Sequence, residues 1–226
     1  MHWFEKSSLI QKGREYLWKK RSYVHWSLFL SFSYFSLARD HRQRLDATLG
    51  LVTEQDILPQ DVEEITVFAN EIGHARELCE PLQARQKPMT SSDAKYSIPF
   101  TVAVAVARRK FVIKDYSSEG IHDEQVLQIA QKVTPNYDVQ KKIEKGREPG
   151  KVEIKIKGGK VYSRQVDIPY GHPDKPITWE DLIAKFKDCL SYSAKPISKD
   201  NTEQAIDMIC NLEKVEDVGQ IVRLLV

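Results

Sequence analysis

The alternation of apolar and polar residues becomes regular after position 40 and changes its period along the chain. In "HRQRLDATLGLVTEQD", Leu45, Leu49 and Val52 recur at the spacing of one helix face, which predicts a helix. Pro59 interrupts this pattern. The apolar residues of "DVEEITVFA" (61–69) then alternate in a strand-like way, which indicates a β-strand.

Two further segments come before position 135. "QARQKPMTSSDA" (83–94) is polar and contains a proline, so we expect a loop there. "DEQVLQIAQKV" (123–133) is typical of a helix, and Asp123 lies near its start, where the helix dipole favours an anion. The predicted apolar face of this helix consists of Val126, Leu127, Ala130 and Val133.

The segment "KVEIKIKGGKVYSRQVDI" (151–168) predicts a β-hairpin. Val152, Ile154 and Ile156 alternate with charged residues, and Gly158-Gly159 supplies a turn that needs positive φ. One apolar and one charged face indicate an antiparallel sheet that is packed on one side only.

The last third of the chain is predicted to be helical. Thr178 lies three residues before Asp181, the pattern of a capping box ahead of an apolar helix face. Two more helical segments are predicted around Ile206–Cys210 and Val218–Leu225. Because no βαβ repeat is visible, the predicted fold class is α+β, with a small antiparallel sheet and surrounding helices.

The stretch "SSDAKYSIPFTVAVAVA" (91–107) allows two interpretations. Its alternating valines favour a strand, whereas Ser97 is a good N-cap and Pro99 is tolerated in the first turn of a helix. As a helix, it would place Lys95 and Tyr96 beside free backbone N–H groups, an arrangement suited to a carboxylate or phosphate. The alternative is a core element preceded by a solvated lysine.

A second candidate for ligand binding is "ARDHRQRLDA" (38–47). Arg39, His41, Arg42 and Arg44 crowd the start of a predicted helix and would suit a polyanionic ligand. The alternative is a basic helix face in contact with solvent.

Composition narrows the range of functions. The formal net charge of +2 over 226 residues predicts neither a nucleic-acid partner nor a membrane partner. Three widely spaced cysteines fit a reducing cytoplasm better than a disulfide framework. The six histidines lack the spacing of metal ligands, so we expect no metal site. The sequence also lacks a P-loop and the common dinucleotide, zinc-protease and serine-hydrolase motifs.

An aromatic-rich segment, 1–37, precedes the regular pattern and holds ten of the chain's 21 aromatic residues. We therefore divide the chain into 1–37 and a domain at 38–226. Basic residues precede an apolar stretch at 23–37, which is the layout of a signal or anchor. This stretch is shorter than the roughly 20 residues of a spanning helix, and serines interrupt it. A buried helix is the favoured interpretation over a membrane span.

Four blocks together resemble the C-terminal part of the MmgE/PrpD family. The order and spacing of these blocks fit the family, and they cover roughly residues 41–226. They are "ILPQDVEEITV", "SSDAKYSIPFTVAVAVA", "VDIPYGHPDKPITWEDLIAKF" and "NLEKVEDVGQIVRLL".

The resemblance implies a fold and a class of chemistry. The family contains 2-methylcitrate dehydratases, cis-aconitate decarboxylases and an epimerase, which are metal-independent enzymes that act beside carboxylates. It implies a large all-helical N-terminal domain followed by a smaller α+β lid domain. It also implies a small carboxylate substrate, no cofactor and a homo-oligomer. It also implies that "DAKYSIPF" continues as a helix.

Site residues follow from the same resemblance. Lys95 and Tyr96 match a basic–aromatic pair, and His41 or Arg42 falls near a family histidine upstream of the aspartate matched by Asp46. The implied catalytic residues are His41, Lys95 and Tyr96. Arg39 and Arg42 in the basic segment and Ser97 at the predicted helix start are the expected substrate-binding residues.

The sequence also departs from the family. Before residue 41, "LSFSYFSLARD" lacks the lysine and proline of the family's Lys-x-aromatic-Pro stretch, and segment 1–37 does not resemble the helical domain. We therefore expect the C-terminal domain of a 2-methylcitrate dehydratase-like lyase, incomplete unless a separate helical subunit joins it. The alternative is a non-catalytic interaction or ligand-binding module that keeps only the fold.

Overall fold

A computed structural model of the chain describes residues 39–70, 74–137 and 149–225. The interpretation of 1–37 lies outside the described residues, and the domain boundary at 37/38 stays a prediction. Within the described ranges, no helix combines the length and the apolar character needed to cross a bilayer.

Helices account for most of the described chain. The α-helices are α1 (Arg39–Glu54), α2 (His74–Glu77), α3 (Leu82–Gln86), α4 (Ser91–Lys95), α5 (Ile98–Arg108), α6 (Ser118–Ile121), α7 (Glu124–Ala130), α8 (Trp179–Leu190), α9 (Lys199–Cys210) and α10 (Gly219–Leu224). Short 3-10 helices lie at Pro59–Asp61, Ile113–Tyr116 and Leu212–Lys214. The strands are β1 (Val62–Ala69), β2 (Val133–Tyr137), β3 (Gly150–Ile156) and β4 (Val161–Val166).

The four strands form one sheet in the order β2-β1-β3-β4. Strand β3 pairs antiparallel with β1 and β4, as predicted, whereas β1 and β2 are parallel. The sheet is therefore mixed, and the expectation of a purely antiparallel sheet was wrong on this point. The helices between β1 and β2 return the chain to the same end of the sheet, which makes a parallel pair possible. The α+β class itself is confirmed.

Strand β2 was missed because it is short and atypical. Its five residues, VTPNY, include Pro135, which is tolerated since β2 forms an edge of the sheet. Val133, which we expected on a helix face, instead begins this strand and is buried. The helix α7 ends at Ala130, and its predicted N-terminal residue Asp123 accepts a hydrogen bond from the Val126 N–H at 3.0 Å.

The predicted hairpin is confirmed. Strands β3 and β4 pair antiparallel, and Gly158 and Gly159 adopt φ values of 89° and 82° in the connecting turn. In β1, a register shift between Val62 and Glu64 buries both Val62 and Ile65, although they are three residues apart. An extra residue of this kind forms a β-bulge. After the bulge, the alternation of side chains between the two faces of the strand is shifted by one residue.

The stretch with two interpretations is a helix. Ser97 caps α5 and accepts a hydrogen bond from the Phe100 N–H at 3.0 Å. The residues from Ile98 to Val106 are all buried. Because every side of the helix faces protein, its sequence has no polar face and shows no helical period.

Other local predictions had mixed outcomes. The expected loop at 83–94 was wrong, since α3 and α4 occupy most of it and Thr90 forms a capping box with Asp93. Thr178 caps α8 as predicted and accepts from the Asp181 N–H at 3.2 Å. Helices α9 and α10 lie where helical segments were expected.

Helix α1 packs directly on the sheet at Gly150, the first residue of β3. A Cβ at this position would lie 2.3 Å from the Gln43 Cβ and 2.5 Å from the Arg44 backbone nitrogen. The Arg44 nitrogen is part of the α1 backbone, and the Gln43 Cβ is attached directly to that backbone, so neither atom can move without the helix. The absence of a side chain at Gly150 therefore sets the distance between α1 and β3.

We expect Gly150→Ala to lower the free energy of unfolding by about 1–3 kcal/mol, because backbone must move to admit the methyl group. Urea unfolding would measure this change. Gly50→Ala is the matched control, since its Cβ would meet only the guanidinium of Arg164, the mobile end of a side chain. Equal losses in the two variants would contradict the close-packing argument.

The C-terminal end of α5 is held by a double ion pair. Arg108 donates to the fully buried Asp115 carboxylate and, at 2.9 Å, to Asp123. Asp115 also accepts from the Val112 N–H at 2.7 Å. Arg108 thus joins α5 to the following 3-10 helix and to the start of α7.

We expect Asp115→Ala to cost about 3 kcal/mol of unfolding free energy, because it leaves a partly buried guanidinium and an N–H short of an acceptor. Glu119→Ala, which removes the exposed ion pair with Lys114, should cost less than about 1 kcal/mol. Thermal unfolding of both variants tests this, and a loss below about 1 kcal/mol for Asp115→Ala would refute it.

Candidate functional site

His41 lies in the first turn of α1 and faces α5. Its side chain is 1% exposed, and its Nδ1 lies 3.4 Å from the Thr101 Oγ1. No protein atom of the described chain hydrogen-bonds to its other ring nitrogen, Nε2. One imidazole nitrogen is therefore in contact with α5, and the other has no hydrogen-bond partner among the described residues.

A chain of hydrogen bonds continues from His41 through α5. The Thr101 hydroxyl donates to the Ser97 carbonyl at 2.8 Å, one helical turn earlier. The Ser97 hydroxyl in turn donates to the Arg85 carbonyl on α3. Both hydroxyl groups are buried, so this chain connects three helices through the core.

Two arginines give this region a positive charge. Arg44 is fully buried and donates to the Phe68 carbonyl through Nε at 3.1 Å and Nη2 at 2.7 Å. Arg85 donates to the carbonyls of Glu80 at 3.0 Å and Glu77 at 2.9 Å. The carbonyl acceptors in these hydrogen bonds carry no formal charge.

Burial and these charges make His41 a neutral imidazole. Burial, then Arg44, then Arg85 lower the pKa of His41 from 6.5 to about 3. Both the loss of water and a nearby positive charge disfavour the imidazolium form. We call His41, Arg44, Arg85, Ser97 and Thr101 the His41 cluster.

A second polar group lies around Asp46, one turn after Arg42. The Asp46 carboxylate accepts from the Tyr170 N–H at 2.6 Å, which ties α1 to the loop before α8. Burial raises the pKa of Asp46, although nearby Lys175, Arg42 and Arg164 oppose this effect. The charge of the half-buried Arg42 thus acts on Asp46.

The implied site residues do not all meet. The structure brings His41 and Ser97 together through Thr101. Lys95 instead places its Nζ 5.6 Å from the centre of the Tyr116 ring, and Tyr96 is 50% exposed. The side chain of Arg39 lies outside the described residues.

Sequence reasoning missed Thr101 and Arg85 as members of the site. Thr101 is the one hydroxyl residue within "IPFTVAVAVA", which was a usable signal once the segment was assigned as a helix. Arg85 lies in the segment that we expected to be a loop, and its contact with Ser97 spans 12 residues.

No cluster of three or more potential metal-ligating side chains occurs in the described ranges.

Comparison with known proteins identifies the family of this chain. The model of the MmgE/PrpD C-terminal domain matches residues 41–212, about three quarters of the chain. The chain belongs to the MmgE/PrpD family. Three of the four sequence blocks lie within the matched residues, and the family resemblance is thereby confirmed.

Members of the MmgE/PrpD family with curated names are distant from this chain. Cis-aconitate decarboxylase of Homo sapiens is 24% identical over 176 residues, which cover 77% of this chain and 34% of that protein. Cis-aconitate decarboxylase of Mus musculus is 24% identical over 141 residues, or 62% of this chain and 28% of that protein. The chain spans about a third of the length of these relatives.

The low pKa of His41 predicts a pH-dependent stability. Below pH 6.5 the unfolded chain binds a proton at His41 that the folded chain does not, until the pH falls to about 3. The contribution of His41 to the free energy of unfolding should therefore decrease as the pH falls, by about 1.4 kcal/mol per unit between roughly pH 6 and 4. Urea unfolding at several pH values would measure the slope.

The His41→Gln variant isolates this contribution. It keeps a neutral polar side chain but cannot take up the proton, so its stability should fall less steeply by the same amount. Parallel pH profiles for the two proteins would show that His41 ionises equally in the folded and unfolded chains.

Proposed function

We propose that this chain forms the C-terminal domain of a lyase that acts on a di- or tricarboxylate. The family supports this class of substrate, as do the relatives named for cis-aconitate, which carries three carboxyl groups. The observation that carries the proposal is a buried, neutral His41 beside two arginines whose N–H groups bind backbone carbonyls.

The His41 cluster fits the needs of such a reaction. Elimination beside a carboxylate requires a proton acceptor, and cations must stabilise the carboxylates and the enolate-like charge that develops. In this proposal Nε2 of His41 is the proton acceptor, and Arg85 supplies charge. A bound carboxylate would oppose the arginines and raise the pKa of His41, so the substrate itself would make the imidazole a better base.

Access to His41 requires movement. Its ring is 1% exposed, whereas Arg85 and Lys95 are half-buried and Tyr96 is exposed. We infer that a carboxylate first meets these outer side chains and reaches Nε2 only after they rearrange. The other acid and base residues are proposed to come from the family's helical domain, so turnover would depend on that domain.

Two reactions are candidates. Dehydration of 2-methylcitrate is the first, on the resemblance of the sequence blocks. Decarboxylation of cis-aconitate is the second, and the names of the two relatives favour it. Both start from a substrate with several carboxylates, so binding is tested before turnover.

A thermal-shift titration with 2-methylcitrate, citrate and cis-aconitate tests the proposal. A ligand at a hundred times its dissociation constant should stabilise the chain by about 2.7 kcal/mol. Arg85→Gln should abolish the shift, and Arg85→Lys should restore part of it. Arg223→Gln is the control, because this exposed arginine on α10 pairs only with a nearby Asp217 in the described part.

The outcomes separate the two functions under consideration. Stabilisation that depends on Arg85 would support a carboxylate site, and turnover would then be sought with a family helical domain added. If none of the three ligands stabilises the folded chain, the lyase proposal fails. A non-catalytic module that keeps the fold then becomes the better account.

A further inference from the structure

We propose that Thr101 is a positioning residue that holds His41 with its proton on Nδ1 and leaves Nε2 as the acceptor. The argument rests on the number of protons along the hydrogen-bonded chain. It deepens the proposed function, since Nε2 is the atom assigned there to receive a proton, but the assignment of the tautomer does not depend on activity.

The hydroxyl of Thr101 has one proton, and it donates that proton to the Ser97 carbonyl. Oγ1 lies 2.8 Å from the Ser97 carbonyl, an acceptor that has no proton to donate in return. Buried threonines in helices commonly donate to the carbonyl four residues earlier. Oγ1 can therefore only accept in its second contact.

That second contact is with His41. Nδ1 lies 3.4 Å from the Thr101 Oγ1, so Nδ1 must carry the hydrogen. A neutral imidazole has one N–H group and one bare nitrogen. Nε2 is then the bare nitrogen, and it is the one without a protein partner in the described ranges.

Ser97 prevents an easy reversal of this arrangement. Its hydroxyl proton goes to the Arg85 carbonyl, while its oxygen accepts from the Phe100 N–H at 3.0 Å. The α5 N-terminus is thereby fixed with the Ser97 carbonyl facing Thr101. For Thr101 to donate to Nδ1 instead, it would have to give up a 2.8 Å hydrogen bond inside the core.

The same geometry suits the charged form of His41. An imidazolium carries a proton on each nitrogen, so the Nδ1–H can stay on Thr101 while Nε2 gains a proton. The ring therefore takes up and releases a proton at Nε2 without turning. Orientation of this kind by a second hydrogen bond is how proteins commonly select a histidine tautomer.

Two-bond ¹H–¹⁵N spectra of the chain labelled with [¹⁵N]histidine test the inference at neutral pH. The His41→Gln variant assigns the signals. We expect a protonated Nδ1 and an unprotonated Nε2 for His41. A protonated Nε2 in the unmodified chain would overturn the proposal, whatever the variants show.

Substitutions at Thr101 identify the cause. Thr101→Val keeps the shape but removes the acceptor, so His41 should change to a mixture of tautomers or to the Nε2–H form. Thr101→Ser should restore the Nδ1–H form. An unchanged spectrum in Thr101→Val would also overturn the proposal.

Thr48→Val is the matched control. Thr48 is fully buried and donates to the Arg44 carbonyl at 2.7 Å, the same bond type on α1, and its loss should leave the His41 tautomer unchanged. These spectra require no ligand. A chain that shows the expected tautomer but binds no carboxylate would refute the proposed function and keep the role of Thr101.

Discussion

The complete burial of α5 is the constraint on which the rest of the structure depends. A helix without a solvent-facing side must satisfy the polar groups at both ends within the protein. At the N-terminus, Ser97 caps the backbone and reaches α3, and Thr101 reaches α1. At the C-terminus, Arg108 binds Asp115 and Asp123. The same hydrogen bonds that make burial possible also orient His41.

At the start of α1, some buried polar atoms lack, among the described residues, the hydrogen-bond partners that buried polar atoms usually have. Besides His41, the buried amide of Gln43 has no protein partner in the described part of the chain, although α1 and β3 are in close contact there. Buried polar groups without partners cost about 1–3 kcal/mol each. These polar groups lie in the same part of the protein as two arginines, and packing alone does not require them. Departures of this kind are concentrated at functional sites.

A feature could be predicted from the sequence when the residues that form it lie close together along the chain. The Thr178 cap, the position of Asp123 at the start of α7 and the glycine hairpin depend on residues within a few positions, and these predictions were confirmed. Helix α5 could not be identified from its period, because full burial removes the polar face, and the family resemblance was needed. Strand β2 is stabilised by its pairing with β1, more than 60 residues earlier. The contacts of Thr101 and Arg85 also join residues that are distant in the sequence, so no local pattern predicts them.

Charge and protonation are coupled in the His41 cluster. Burial, together with the charges of Arg44 and Arg85, lowers the pKa of His41 and keeps the imidazole neutral, and the same positive charge would attract a carboxylate. Once an anion offsets that charge, the energy that had opposed protonation of His41 decreases, so ligand binding and proton uptake favour each other by linkage. A neutral ligand of the same shape would gain neither effect. In the proposed function, the arginines would therefore select for anions in two ways, by direct attraction and by making the base effective only when an anion is bound.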